Sequence, residues 1–383
     1  MKEIIRVERK RILNLRMFLV IAVAILIYSV CSSISSLNNY NVYDSSGNII
    51  ISSKDNLKES KLDKHNKVLN EIELKDIVDR KDTSKYLYNS NLITLVASNY
   101  EKKLEELTES DISNFYNERI LNIKNNIGPS IDEEDIDRLV EKGGELNTPL
   151  EIGYAEGWKN LNNDMVDFIT IIIFIIPFII LAIFGEDLKV KMKQLYTSTK
   201  HGKKTLVKAR MIAGIEISSI IYGTGVSIFS LSKLLILGFN GANLPIQSSI
   251  NYLFSPYNIT FFEQYLINVL VGFMAMLILV SITLLITVIL EQILSSAIIV
   301  TFILAIMTML PNNSFELNHY FRNFLPYNMV NFNSYYIKPE IYNVFDEIVP
   351  TYILVGLVGC ILFMIVTVFT LIISNKKLYS KLH

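Results

Sequence analysis

The residue types able to do chemistry in this chain are scattered, and the best local pattern fails on inspection. Gly202-Lys203-Lys204-Thr205 has the ending of a phosphate-binding loop. Such a loop needs glycines that let main-chain amides reach the phosphates, a lysine for the outer oxygens and a hydroxyl for magnesium, spaced GxxxxGK[ST] between a strand and a helix. Thr197 stands where the first glycine belongs, and an apolar run of membrane-spanning character precedes the segment. His65, His201, His319 and His383 are isolated from one another, with no HExxH pair, and no GxSxG serine elbow occurs. Cys31 and Cys360 are the only cysteines and lie in apolar runs, which excludes a disulfide framework or a cysteine zinc site and suits small buried apolar side chains. Val30 before Cys31 argues against lipoprotein processing. The acidic run Asp132, Glu133, Glu134, Asp135 and Asp137 lacks the spacing of an EF-hand and reads as a solvated face. Enzyme chemistry and a resident metal are therefore not expected, and the chain is expected to need no cofactor of its own.

Polar residues inside apolar runs are costly and are functional candidates for that reason. Glu216, close to Ser218, Ser219, Tyr222 and Thr224, faces either a helix interface or a wet cavity and is a candidate pathway or gating residue. Lys233, near the end of the same run, is expected to snorkel to the surface. Pro177 predicts a kink and is, with Glu216, a candidate pathway or gating position, and Glu291-Gln292 predicts a very tight turn between two apolar runs.

The elements that must position these residues are membrane helices. Half of the 383 residues are hydrophobic (51%), yet 19% are charged, so charge and apolarity must be segregated along the chain. Six apolar stretches approach the ~20 helical residues that a bilayer core demands: 17–37, 168–184, 211–237, 265–290, 293–310 and 352–374. Lysine and arginine crowd residues 1–16, 185–210 and 375–383, whereas 238–262 carries no charge. By the positive-inside rule both termini and the 185–210 loop are cytoplasmic. Residues 2–16, with Ile5, Ile12 and Leu15 on one face, fit either an interfacial amphipathic helix or a plain basic flank. Residues 38–167 then form an extracellular insertion whose apolar spacing is helical, including a helix begun near Ser110 and Asp111 that carries Phe115, Arg119, Ile120 and Ile123. The aromatic segment 311–349 fits a re-entrant hairpin or a surface loop at the bilayer interface. The expected fold is an all-α polytopic membrane protein, with six transmembrane helices and a large, mainly helical extracellular insertion between the first two.

One segment concentrates the functional signal. After the second apolar stretch come Glu186 and Asp187, then Leu188, Met192 and Leu195 at i, i+4 and i+7, with Lys189, Lys191 and Lys193 around that stripe. Acids at a helix start and an apolar stripe flanked by lysines describe a short amphipathic helix, which either a protein groove or anionic lipid would hold.

An N-terminal basic amphipathic stretch, a first span, a large external insertion and five clustered spans with this loop resemble the ABC-2 type permease subunits of bacterial ABC transporters. The residues that carry the resemblance are Glu186, then Leu195-Tyr196-Thr197-Ser198-Thr199, then Lys208; His201-Gly202-Lys203 replaces the family's small residue and arginine in the turn. The resemblance implies an export permease for a peptide, bacteriocin, drug or lipid-like substrate. Its partners would be a cognate ABC ATPase that carries ATP and magnesium, a second permease copy or homologue, and the lipid of a bacterial plasma membrane; nucleic acid is not among them. It also implies a coupling role for Glu186, Asp187, Leu188, Met192, Leu195, Tyr196, Thr197, Ser198, Lys200, Gly202 and Lys208, with Glu291 as a second contact. A sodium-extruding permease, and a membrane-anchored receptor or immunity protein whose external domain binds a ligand, are the alternatives.

Overall fold

The computed structural model describes residues 1–43, 49–55, 57, 67–79, 93–100, 106–126, 133–181, 183, 202–309, 322–337, 341–344 and 347–379. The chain is mostly helical. It opens on a short amphipathic helix, α1 (Lys2–Ile12), followed after a break at Leu13-Asn14 by the apolar α2 (Leu15–Asn38), whose first turn is capped by Asn14 Oδ1 accepting from the Met17 amide at 2.8 Å. Four more long apolar helices follow: α7 (Glu156–Ile180), α8 (Gly202–Leu237), α9 (Phe261–Leu290) and α13 (Thr351–Tyr379). These five are long and apolar enough to cross a membrane. The expected fifth span corresponds to α10 (Ile293–Met309), an apolar helix of only 17 residues. Burial orders the bundle: 61% of the apolar window of α9 is enclosed by the chain but only 11% of those of α2 and α13, so α9 is central and the other two are peripheral.

Between α2 and α7 sits an inserted unit. It comprises β1 (Val42–Tyr43) paired with β2 (Ile49–Ile51), β3 (Lys67–Val68), α3 (Glu71–Asp79), α4 (Glu109–Ser113), α5 (Phe115–Asn126), α6 (Glu133–Gly144) and β4 (Glu151–Ile152). Its described residues are mostly helical, but β3 pairs antiparallel with β4 and so closes the unit onto the lead-in to α7. Its helix-start signal lies at Thr108, which forms a reciprocal capping box with Asp111. The unit has its own core around Leu69, Leu74, Leu95, Phe115 and Leu150, joined by Leu253 from the connection between α8 and α9. Lys124 pairs with Asp137 at 2.9 Å and Arg138 with Glu134 at 2.7 Å, so these members of the acidic run act as ion-pair partners on the surface.

Three boundaries differ from the sequence reading. Helix α7 begins at Glu156, not at 168, because its polar first turns are covered: Leu161, Asn162 and Met165 are fully buried and Trp158 donates its indole NH to Phe239 O at 2.9 Å. Helix α8 begins at Gly202, so Lys203, Lys204, Lys208 and Arg210, assigned to a loop ending at 210, lie on its first turns. Leu15, expected on the N-terminal amphipathic face, instead starts α2 and is exposed. After α10, the short helices α11 (Pro326–Met329) and α12 (Phe332–Ile337) pack into the bundle, where Met329, Phe332, Tyr335 and Tyr336 are buried; β5 (Ile341–Val344) and β6 (Glu347–Pro350) form a hairpin leading into α13. Cys31 is exposed and Cys360 half-buried, a correction to the expectation that both are buried, since each lies on a peripheral helix.

Candidate functional site

The charged residues of α1 and α8 meet at one end of the bundle. Helix α1 turns Ile4, Ile5, Glu8 and Ile12 inward and exposes Lys2, Glu3, Arg6 and Lys10. Glu8 is almost fully buried, with Arg11 Nη2 at 2.8 Å and Arg210 Nε at 3.2 Å. A buried carboxylate is tolerable only when paired in this way. Arg11 also donates to Ile183 O at 2.8 Å. Helix α1 therefore grips the chain on both sides of residues 184–201: the end of the second long apolar stretch at Ile183, and the beginning of α8 at Arg210. The same helix pairs Arg9 with Glu216 at 3.5 Å; with side chains 43% and 41% exposed, this outer pair contributes little.

Of the residues expected to couple to a partner, Glu186, Asp187, Leu188, Met192, Leu195, Tyr196, Thr197, Ser198 and Lys200 lie outside the described residues. Gly202 opens α8, and Lys208 is exposed on its second turn. Glu291 ends α9 in the left-handed conformation (φ 56°, ψ 11°), which makes the turn into α10 as tight as its sequence suggests. It belongs to the same end of the bundle, because a Cβ built at Gly214 in α8 would meet both Ile183 and Leu284. Pro177 is buried and α7 continues past it, the Leu181 amide bonding to Pro177 O at 3.1 Å.

At the far end, Lys233 is fully buried, correcting the expectation that it snorkels outward. Its ammonium ion contacts Asp164 Oδ2, donates to Ser36 Oγ at 2.6 Å and to Ser32 O at 3.1 Å, and sits 5.8 Å from the centre of the Phe229 ring. Ser36 in turn donates to Asp164 at 3.0 Å. One cation thus fastens α2, α7 and α8 together. Phe168 and Phe229 stack at 4.2 Å between α7 and α8, with Tyr28 of α2 against both rings. A third polar group crosses the core: Asn162 donates to Phe261 O at 3.1 Å, Asn268 to Asn162 at 3.4 Å, and Tyr336 to Asn268 at 3.0 Å.

Sequence reasoning missed the Glu8–Arg210 and Lys233–Asp164 pairs because the partners are far apart in the chain. The signal was present in part: Asn268, within the apolar α9, and Asp164, beside the apolar part of α7, are polar residues that a lipid-facing helix excludes. Among the described residues no group of three or more His, Cys, Asp or Glu side chains is placed to hold a metal ion. Comparison with known proteins finds no matching family model, no matching curated protein and no matching solved structure.

Proposed function

We propose that this chain is the permease subunit of an ATP-driven exporter of the ABC-2 type, moving a peptide, drug or lipid-like substrate and driven by a separate ATPase subunit. In this reading α10 is a sixth span, the inserted unit is extracellular, and α1 lies on the cytoplasmic face of a bacterial plasma membrane. The observation that carries the proposal is the grip of α1 on Ile183 and Arg210. A force applied to residues 184–201 would reach α7, α8 and α1 together, as conversion of an ATPase stroke into helix movement requires. Glu216, which lies 3.5 Å from Arg9 of α1, would be displaced along with α1 and α8. The chain itself would supply no nucleotide chemistry; the partner would bind ATP and magnesium.

The test is co-purification with a candidate ABC ATPase co-expressed with the chain. Wild-type protein is expected to retain the ATPase through detergent extraction, and reversal of Lys189, Lys191 and Lys193 to glutamate, or Leu195→Asp, is expected to release it. Full retention by both variants, each present in the membrane at wild-type levels, would remove the basis for a coupling role of this segment.

A further inference from the structure

The inserted unit and the far end of the bundle border an open cavity of about 260 Å³ that is separate from the α1 end. Its floor is the first turn of α7, where Glu156 and Lys159 project from neighbouring positions; their side chains are 9% and 14% exposed. Glu156 Oε2 accepts from the Tyr40 hydroxyl at 2.7 Å, which fixes the carboxylate. Burial, and then the same carboxylate, push the Tyr40 phenol well above its usual range, so it remains a donor. The other oxygen meets Lys159 Nζ at 3.3 Å, long for a charge-assisted bond, whose usual length is about 2.7–2.9 Å. Ion and counter-ion are both held in the wall but are loosely engaged with each other.

The remaining wall has unspent hydrogen-bonding capacity. Ser248 is 5% exposed and its hydroxyl has no hydrogen-bond partner, a costly state for a buried polar atom. The Tyr252 hydroxyl gives its one proton to Asn333 Oδ1 at 2.7 Å and lies 3.1 Å from Asn163 Oδ1, so that contact does not use up the Asn163 carboxamide. Leu95 and Ile152, 2% and 1% exposed, also border the cavity from the core of the inserted unit. The volume is slightly below the roughly 300–1,000 Å³ of drug-sized sites, so the ligand must be small.

We propose that this cavity binds a small zwitterion, a free amino acid or a dipeptide, its ammonium group on Glu156 and its carboxylate on Lys159, with Asn163 and Ser248 completing the carboxylate's hydrogen bonds. Among the described lining residues the charges of Glu156 and Lys159 cancel, so neither a simple cation nor a simple anion matches them, whereas a ligand carrying both charges a few bonds apart replaces one long ion pair with two short ones. The site stands apart from the coupling reading and survives its failure. Occupancy would tie α7 to the inserted unit.

Thermal unfolding of the detergent-purified full chain tests this, with alanyl-alanine as probe and N-acetyl-alanyl-alanine amide, which has the same shape without the charges, as control. Millimolar alanyl-alanine is expected to raise the midpoint by a few degrees in a saturable way, and the capped peptide to leave it unchanged. Lys159→Met should abolish the response, and Ile250→Trp, at an exposed position on the rim, should weaken it by obstruction without touching the charge pair. No response in the wild type, an equal response to the capped peptide, or a wild-type response in both variants would overturn the proposal.

Discussion

Lys233 and Asp164 form an ion pair with unequal partners. The ammonium ion is fully buried, whereas the carboxylate keeps about a third of its surface exposed (35%). Removing the partner of a buried charge leaves an uncompensated ion, at a cost of about 3–5 kcal/mol; removing a charge whose partner reaches water costs less. Asp164→Ala is therefore expected to lower stability by about 3 kcal/mol, and Lys233→Met by about 1 kcal/mol, since Asp164 can hydrate and methionine still packs on Phe229. Denaturation in detergent micelles measures both. Equal losses would show that the carboxylate is as dependent on its partner as the lysine is. At this scale the sequence was legible only in outline. Lys233 stood out as a charge in an apolar run, but no pattern announced that the partner would come from a different helix, 69 residues away.

At the scale of elements, the apolar runs were the most legible feature, because hydropathy over a full membrane thickness is a long and redundant signal. The expected 17–37 became α2 at Leu15–Asn38, and 265–290 became α9 at Phe261–Leu290. The polar start of α7 was not legible, since Lys159, Asn160, Asn162 and Asn163 carry no apolar signal; tertiary contacts with the inserted unit and the α8–α9 connection hold those turns. Gly157 shows how close that packing is: a Cβ there would lie 1.9 Å from Gly238 O. The Glu291 junction was legible as a turn, and its geometry carries a prediction. A non-glycine residue in the left-handed region costs about 1 kcal/mol, part of which glycine recovers after its larger loss of chain entropy. Glu291→Gly is expected to raise the unfolding midpoint by about 1–2 °C. If Glu291 also contacts an ATPase, the same variant will couple ATP hydrolysis to transport less well while being more stable. A fall in midpoint would mean that its side chain holds the α9–α10 turn more strongly than the backbone strains it.

In the whole molecule, the inserted unit and the helix bundle each have a core of their own, so their connection decides whether they act as one body. Two residues make much of that connection. Leu253 inserts into the core of the inserted unit, and Arg119 of α5 is 2% exposed, donating to Leu253 O and Ser255 O at 2.8 Å and to Gly143 O at 3.0 Å. Burial draws the guanidinium down to about 10, still far enough above neutrality that it stays charged and keeps all three donors. No carboxylate answers it among these contacts, so its attachment consists of main-chain carbonyls, which water would otherwise satisfy. Arg119→Met leaves these carbonyls without their donor in a closed site and is expected to cost about 3 kcal/mol. The loss should fall on the joint and spare the two cores. Hydrogen exchange is therefore expected to accelerate in residues 115–126 and 250–257 while the amides of α8 and α9 keep their protection. If protection instead falls uniformly across α8 and α9, the two cores unfold as one unit and the inserted unit is part of the bundle's stability, not a separable body fastened to it.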